Sequence, residues 1–197
     1  MEAEKYWENR YSLGGNSGAG SYGNLAAFKA DTINNFIESN NINSVIEFGC
    51  GDGNQLKLLA APKYVGYDVS KSAVANCKSL FQSDKSKRFV NTLSEIKSKA
   101  DLTLSLDVIY HLIDDEVYHD YMSNLFDYSK KYVIIYSNDQ HDNGKFASHI
   151  KCHKFTEWVK EHRPEFELIL HLPNKYPYNP NNPKGTSISD FYFYKRI

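Results

Sequence analysis

The sequence predicts an α/β fold, a mostly parallel sheet with helices on both faces, and three observations carry that prediction. Apolar, β-branched runs alternate with amphipathic segments along nearly the whole chain, the pattern of right-handed βαβ units. The run Ser44 to Phe48 leads directly into Gly49-Cys50-Gly51-Asp52-Gly53, a turn of three alternating glycines. A second strand, Tyr64 to Tyr67, ends on Asp68, about twenty residues beyond Glu47, the acid set inside the first strand.

From the N-terminus, Tyr6-Trp7-Glu8-Asn9-Arg10-Tyr11 reads as an aromatic helical turn. Gly14 to Gly23 reads as a flexible loop too rich in glycine to pack as a core element. Residues 1–24 are therefore expected to form a lid segment ahead of one domain, residues 25–197. An amphipathic helix should run from about Leu25 to Ile37. Ser44 to Phe48 has the composition of a strand covered on both faces. Gln55 opens a short helix, Tyr64 begins the second strand, and a helix follows from Lys71 to about Gln82, with Ser70 better suited than Asp68 to cap it. Arg88 to Asn91 is a short strand; Leu102 to Leu106, a helix over Asp114 to Tyr128, and Val133 to Tyr136 repeat the alternation. After a helix around Thr156 to His162, Phe166 to His171 and Asp190 to Arg196 read as two closing strands separated by Pro173 to Gly185. In sheets of this kind ligands lie beyond the strand C-termini.

Composition limits the setting. With 197 residues, 41% of them hydrophobic, the chain can bury one substantial core and holds no polar tract long enough to divide it. A net charge of −1 supplies no overall attraction to nucleic acid. No apolar run approaches the roughly 18 residues that span a bilayer, and Met1 to Arg10 lacks the apolar core of a signal peptide. Three cysteines, Cys50, Cys77 and Cys152, are odd in number and without C-x-x-C spacing, which favours a reducing cytoplasm over a disulfide framework. The expected partner is a small molecule, with neither nucleic acid nor membrane.

The glycine turn carries the first chemical information. Glycine lets the backbone turn sharply and approach a ligand with no Cβ in the way. A dinucleotide loop reads G-x-G-x-x-G and sets a pyrophosphate on the next helix; here the pattern is G-x-G-x-G, with Asp52 inside it. Such an acid would repel a pyrophosphate but tolerates a positively charged cofactor, so NAD is disfavoured. By itself the decapeptide is also compatible with a plain turn after a buried strand. Asp68, placed where a strand-end acid grips ribose hydroxyls, makes the cofactor reading the stronger one.

Together these segments resemble motif I and the following strand of the class I S-adenosylmethionine (SAM)-dependent methyltransferases. The resemblance implies a Rossmann-like sheet of seven strands, one of them antiparallel, with SAM as cofactor and S-adenosylhomocysteine (SAH) as product. It implies that Glu47, Gly49, Cys50, Gly51, Asn54 and Gln55 surround the cofactor, that Asp68 takes its ribose, and that Val69 packs on its adenine. Tyr6, Arg10 and Tyr11 resemble leaders that cover the methionine end, the arginine being available for its carboxylate. Leu106, Asp107 and Val108, at the end of the fourth strand, complete the cofactor wall.

Asp107-Val108-Ile109-Tyr110-His111 stands where motif IV meets the transferring methyl. Amino-methylating relatives carry two prolines there; Val108 and Ile109 replace them, and the segment resembles small-molecule O-methyltransferases that read D-V-x-x-H. Catalytic duty is expected of His111, Asp107 and Tyr110, because aligning the acceptor and removing a hydroxyl proton are the two tasks. His111 could equally be a structural histidine satisfied by backbone. Acceptor contacts are expected from Ser21, Tyr22, His149, His153, Tyr176 and Tyr178. The loop holding His141, His149, Lys151, His153 and Lys154 is locally basic, which suits a phosphate or carboxylate if it lies at the site mouth. His149 and His153 have the i, i+4 spacing of zinc ligands, but Ile150 stands in place of the glutamate of H-E-x-x-H, and no metal is expected. The leader, the motif IV segment and the C-terminal loop resemble small bacterial enzymes of capsule and surface-glycan biosynthesis, which implies a small polar, anionic acceptor: a sugar hydroxyl, a nucleotide-linked sugar or a phosphate or phosphoramidate oxygen. A methyltransferase acting on nucleic acid or protein, and a non-catalytic SAM-binding partner subunit, are the alternatives.

Overall fold

The computed structural model describes residues 2–142, 144 and 150–197. Seven strands form one sheet: β1 Val45–Phe48, β2 Tyr64–Tyr67, β3 Lys87–Val90, β4 Ala100–Leu106, β5 Ser129–Ser137, β6 Phe166–Leu172 and β7 Asp190–Arg196. Their order is β3-β2-β1-β4-β5-β7-β6, parallel except for β7, which runs antiparallel to both neighbours. The helices are α1 Glu2–Ser12, α2 Gly23–Ser39, α3 Lys71–Leu80, α4 Asp115–Asp127 and α5 Phe155–His162.

Side chains alternate across a strand with period two, so each buried strand feeds two cores. Val45 of β1 and Ile134 of β5 join Ile33 and Ile37 of α2 and Val74 of α3 on one face. Ile46, Phe48, Val133 and Ile135 join Met122, Leu125 and Phe126 of α4 and Phe155 and Val159 of α5 on the other. Two helices are capped by the chemistry their sequences suggest. The Ser70 hydroxyl accepts the Ala73 N–H at 3.0 Å, and the Asp114 carboxylate accepts from Glu116 and Val117 at 3.0 and 3.2 Å.

The N-terminal segment differs from expectation. The aromatic turn is a three-turn helix, α1, docked on the start of α3: Glu8 accepts from the Ser70 and Ser72 hydroxyls at 2.7 and 2.6 Å. These hydroxyls, with the Ser72 N–H, hold the Glu8 carboxyl down at about 2. The glycine-rich loop after it packs as well, and Ala19–Ser21 forms a 3₁₀ turn. Its anchor is Asp52, which accepts the Ser17 N–H at 2.9 Å and the Tyr22 hydroxyl at 2.8 Å. Among the described residues, no helix is long and apolar enough to cross a membrane.

Candidate functional site

The sheet order reverses at β1 and β4, whose connections leave in opposite directions, and the crevice this opens beyond the strand C-termini holds a cavity of about 730 Å³. Glu47, Phe48, Gly49, Cys50 and Gly51 form its floor, with Asp68 and Val69 from the end of β2 and Leu106, Asp107 and Val108 from the end of β4. The N-terminal segment closes it from above through Trp7, Tyr11, Ser17 and Ser21, and α4 lines its far side through Val117, Asp120 and Tyr121.

The glycine loop is shaped by need. Gly49 and Gly51 have φ of +83° and +55°, and a Cβ at Gly51 would stand 2.3 Å from Ser17 Oγ. Asp68 is 6% exposed and accepts the Gly51 and Ser70 N–H groups, both at 2.9 Å. Burial pushes its carboxyl up to about 6, against the pull of those N–H bonds. Glu47 is 3% exposed; burial raises it to about 7 although the Tyr64 hydroxyl donates to it at 2.5 Å. Asp52 behaves oppositely. Burial opposes its charge, but the Ser17 and Asn54 N–H groups and the Tyr22 hydroxyl prevail and hold it below the ordinary range.

Asp107 has φ +59°, one of two non-glycine residues at positive φ among those described and the one that lines the cavity. Three donors fix it there: Lys29 Nζ at 2.8 Å, the Tyr110 hydroxyl at 3.1 Å and the Ser189 hydroxyl at 3.0 Å. Lys29, on α2, is 1% exposed and places its Nζ 5.1 Å from the centroid of the Tyr136 ring. His111 lines the cavity with its ring edge-on to Trp7, centroids 5.1 Å apart.

The expected residues divide into two sets. On the cavity wall are Tyr11, Ser21, Glu47, Gly49, Cys50, Gly51, Gln55, Asp68, Val69, Leu106, Asp107, Val108 and His111. Asn54 stands behind it, donating to the Ser21 carbonyl at 2.7 Å, as does Tyr110 behind Asp107. Tyr6 and Arg10 lie outside the wall: the Arg10 Nε donates to the Asn16 carbonyl at 2.6 Å, and its guanidinium sits over Trp7. Tyr22 is tied to the site through Asp52 and is not on the wall.

The basic loop does not face the cavity where it is described. Lys151 pairs with Asp115 at 2.6 Å, Lys154 with Asp139 at 2.5 Å, and His141 with Glu157 at 3.6 Å. His153 is a packing residue, stacked on Tyr118 at 3.9 Å with Nε2 2.8 Å from the Leu112 carbonyl oxygen, and burial lowers its pKa. Tyr176 packs edge-on against Phe28, and Tyr178 is 55% exposed. His149 lies outside the described residues. Among those described, no group of three His, Cys, Asp or Glu side chains could hold a metal ion. The wall is acidic: Glu4, Glu47, Asp52, Asp68, Asp107, Asp114 and Asp120 face Lys29 and His111.

Lys29, Ser17, Trp7 and Ser189 were not among the residues expected from sequence. Lys29 left a trace there, as a charge on the stripe Leu25, Ala26, Ala30, Ile33, Ile37 that α2 buries.

Comparison with known proteins gives a consistent picture. A family model described as a methyltransferase domain matches residues 23–171. A search of curated proteins finds no match. Among solved structures, magnesium protoporphyrin IX methyltransferase from Synechocystis PCC 6803, with bound SAM, is 17% identical over 89% of this chain and 86% of its own, with a TM-score of 0.64. The methyltransferase domain of a bacterial Hen1 is 19% identical, with 88% and 99% covered and a TM-score of 0.66. N-methyltransferase NodS from Bradyrhizobium japonicum WM9 is 12% identical, with 86% and 93% covered and a TM-score of 0.66.

Proposed function

The chain belongs to the methyltransferase-domain family, and from that premise we propose that it moves a methyl group from SAM to a hydroxyl of a small polar acceptor. The observation that carries the cofactor reading is the pairing of a glycine loop whose Cβ positions are filled by neighbours with a nine-tenths-buried Asp68 at the end of β2. The residues fit the group. Asp68 would accept the ribose hydroxyls, Val69, Leu93 and Val108 offer an apolar slot for adenine, and the acidic wall suits a ligand with two positive centres. Gln55 adds a buried Oε1 with no hydrogen-bond partner among the described residues.

SAM supplies an electrophilic methyl for in-line displacement; the chain must align the acceptor and handle its proton. Asp107, held by three donors, is a fixed acceptor at the wall, and His111, held edge-on by Trp7, is the nearby base that takes the hydroxyl proton. Residues 1–24 serve as the lid, because Trp7, Tyr11, Ser17 and Ser21 line the cavity and Asp52 latches the segment at Ser17 and Tyr22. With Lys151 and Lys154 paired away from the cavity and seven acidic side chains on the wall, an uncharged hydroxyl is favoured over the phosphate or phosphoramidate oxygen also considered from sequence. A sugar of bacterial surface-glycan synthesis, methylated in the cytoplasm, is the setting we propose. Its support is the sequence resemblance together with this wall.

The test has two parts. Calorimetry should show SAH binding and no binding of NAD. Radiolabelled SAM offered with neutral sugars, sugar nucleotides and sugar phosphates should label a hydroxyl of the neutral sugars in preference to the two anionic classes; a folded protein that fails to bind SAH, or labels an amine panel instead, overturns the reading.

A further inference from the structure

The net charge of −1 conceals a divided molecule. Between Gly53 and Lys99 the chain holds nine Lys or Arg and three Asp or Glu, and one of those acids, Asp68, is buried in the cavity wall. The rest of the chain, the cavity above all, carries the balancing excess of acid. Of the nine cations, all but Lys87 are exposed.

The fold gathers most of them at one end. Lys63 precedes β2, Lys85 and Lys87 lie at the start of β3, and Lys97 and Lys99 precede β4, so these five stand at the N-terminal ends of parallel strands. α3 crosses back between β2 and β3, and its last turn brings Lys78 to the same end. β3 is the outer strand of the sheet on this side, and the cavity lies beyond the opposite ends of the strands. Among the described residues, one of these six lysines is in an ion pair, Lys87 with Asp84 at 3.5 Å. The other five leave their charge to solvent at one corner, with Glu95 the remaining exposed acid of the stretch.

Three observations fit this corner to an anionic bilayer. Eight of the nine cations are lysine, a compact point charge that answers a diffuse field of phosphates, whereas the planar fork of arginine reads a single phosphate. Among the described residues of the stretch no aromatic ring is exposed: Tyr64 and Phe89 are buried, Tyr67 and Phe81 half-buried, and bases have no platform to stack on. Leu58 and Leu80 are 46% and 47% exposed, one beside Lys57 and the other two residues from Lys78, the mixture of open apolar and basic side chains that enters a headgroup layer.

We propose that the end of the molecule formed by the starts of β2, β3 and β4 and the last turn of α3 docks on an anionic lipid surface, holding the protein peripherally with its cavity turned to solvent. The headgroup field acts on Lys63, Lys78, Lys85, Lys97 and Lys99, and Leu58 and Leu80 add shallow apolar burial. The docking is independent of which acceptor the cavity takes.

Co-sedimentation of the full chain with sucrose-loaded vesicles tests this. In about 50 mM NaCl the wild-type protein should bind phosphatidylcholine vesicles containing about 30% phosphatidylglycerol, ignore pure phosphatidylcholine, and be largely released at about 200 mM. One lysine near such a surface is worth a factor of about five, so Lys78→Gln/Lys85→Gln/Lys97→Gln should weaken binding about 100-fold and flatten its salt dependence. Leu58→Ser/Leu80→Ser should weaken it about tenfold and keep the salt dependence. Lys160→Gln/Lys175→Gln, two exposed lysines away from the corner, should change it less than about twofold. Circular-dichroism melts should match the wild type throughout, since every substituted side chain is exposed. Absence of binding to the anionic vesicles, equal binding to both kinds, binding that survives the triple substitution, or an equal loss in the Lys160 and Lys175 variant overturns the proposal. Excess duplex DNA that strips the protein from the vesicles overturns it as well, by making nucleic acid the partner.

Discussion

The Gly51 amide donates to Asp68 Oδ2 at 2.9 Å, tying the glycine loop to the end of the second strand. One carboxylate therefore shapes the loop and leaves its remaining lone pairs for a ligand. Asp68→Ala should weaken SAH binding by about 1.5 to 3 kcal/mol through loss of charge-assisted hydrogen bonds. Calorimetry beside a circular-dichroism melt checks it; unchanged affinity in a folded variant would remove Asp68 from the site.

Cofactor binding should release protons. Glu47 and Asp68 are raised by burial to about 7 and about 6, and a cation or a hydroxyl donor beside either favours its ionised form. Affinity for SAM should thus rise with pH through about 5 to 7 and then level off. In stability the sign reverses: both folded pKa values lie above the unfolded ones, so their contribution is full below the unfolded pKa and is lost as pH climbs through 6 and 7. Titrations in buffers of different ionisation enthalpy measure the release; a dissociation constant flat from pH 5 to 7 would refute it.

The Asp52 latch should govern the lid. Asp52→Ala removes the acceptor for the Ser17 N–H and the Tyr22 hydroxyl, so amides around Ser17 should exchange faster and the Michaelis constant for SAM should rise. Exchange over residues 14–23 that is identical in variant and wild type would show that Asp52 does not hold the segment.

His111→Ala should lower turnover by about 10² to 10⁴ at saturating SAM with little change in SAH affinity. Wild-type turnover and wild-type acceptor Michaelis constant together would exclude it from the reaction.

Leu102, fully buried in central β4, should cost about 2 to 5 kcal/mol on truncation to alanine. The melting temperature reports it. SAH affinity of the folded fraction should stay the same.

Central strands were legible because strands buried on both faces are rich in large apolar residues, and β1 and β4, buried at every position, keep Val, Ile, Phe and Leu through them even though Glu47, Asp101, Thr103 and Ser105 interrupt the runs. The glycine loop and Asp68 were legible because both belong to one local β-turn-β pattern. α1 was foreseen only as a turn: its charged residues hide any periodicity, and its support is tertiary, through Glu8 on α3. Lys29 and Ser189 reach Asp107 from 78 and 82 residues away, a proximity that no window of sequence contains. The basic loop shows the converse error. Its described lysines are close in sequence, but Lys151 is neutralised by Asp115 from the start of α4 and Lys154 by Asp139 from the opposite end of the same loop.

β7 follows β6 in the chain yet lies between β6 and β5. The ladder of β6 is with β7, so β6 has no place in the sheet until the later strand has inserted. During synthesis, the outer part of the sheet must therefore wait, with the β5 edge open, for a strand that the ribosome delivers after its neighbour. Ser189, at the head of that strand, arrives with it, so the last partner of Asp107 is supplied by the same event that closes the sheet. Assembly of the site and completion of the fold are one step, and a variant that delays β7 should accumulate a species that is collapsed, open-edged and unable to hold its ligand.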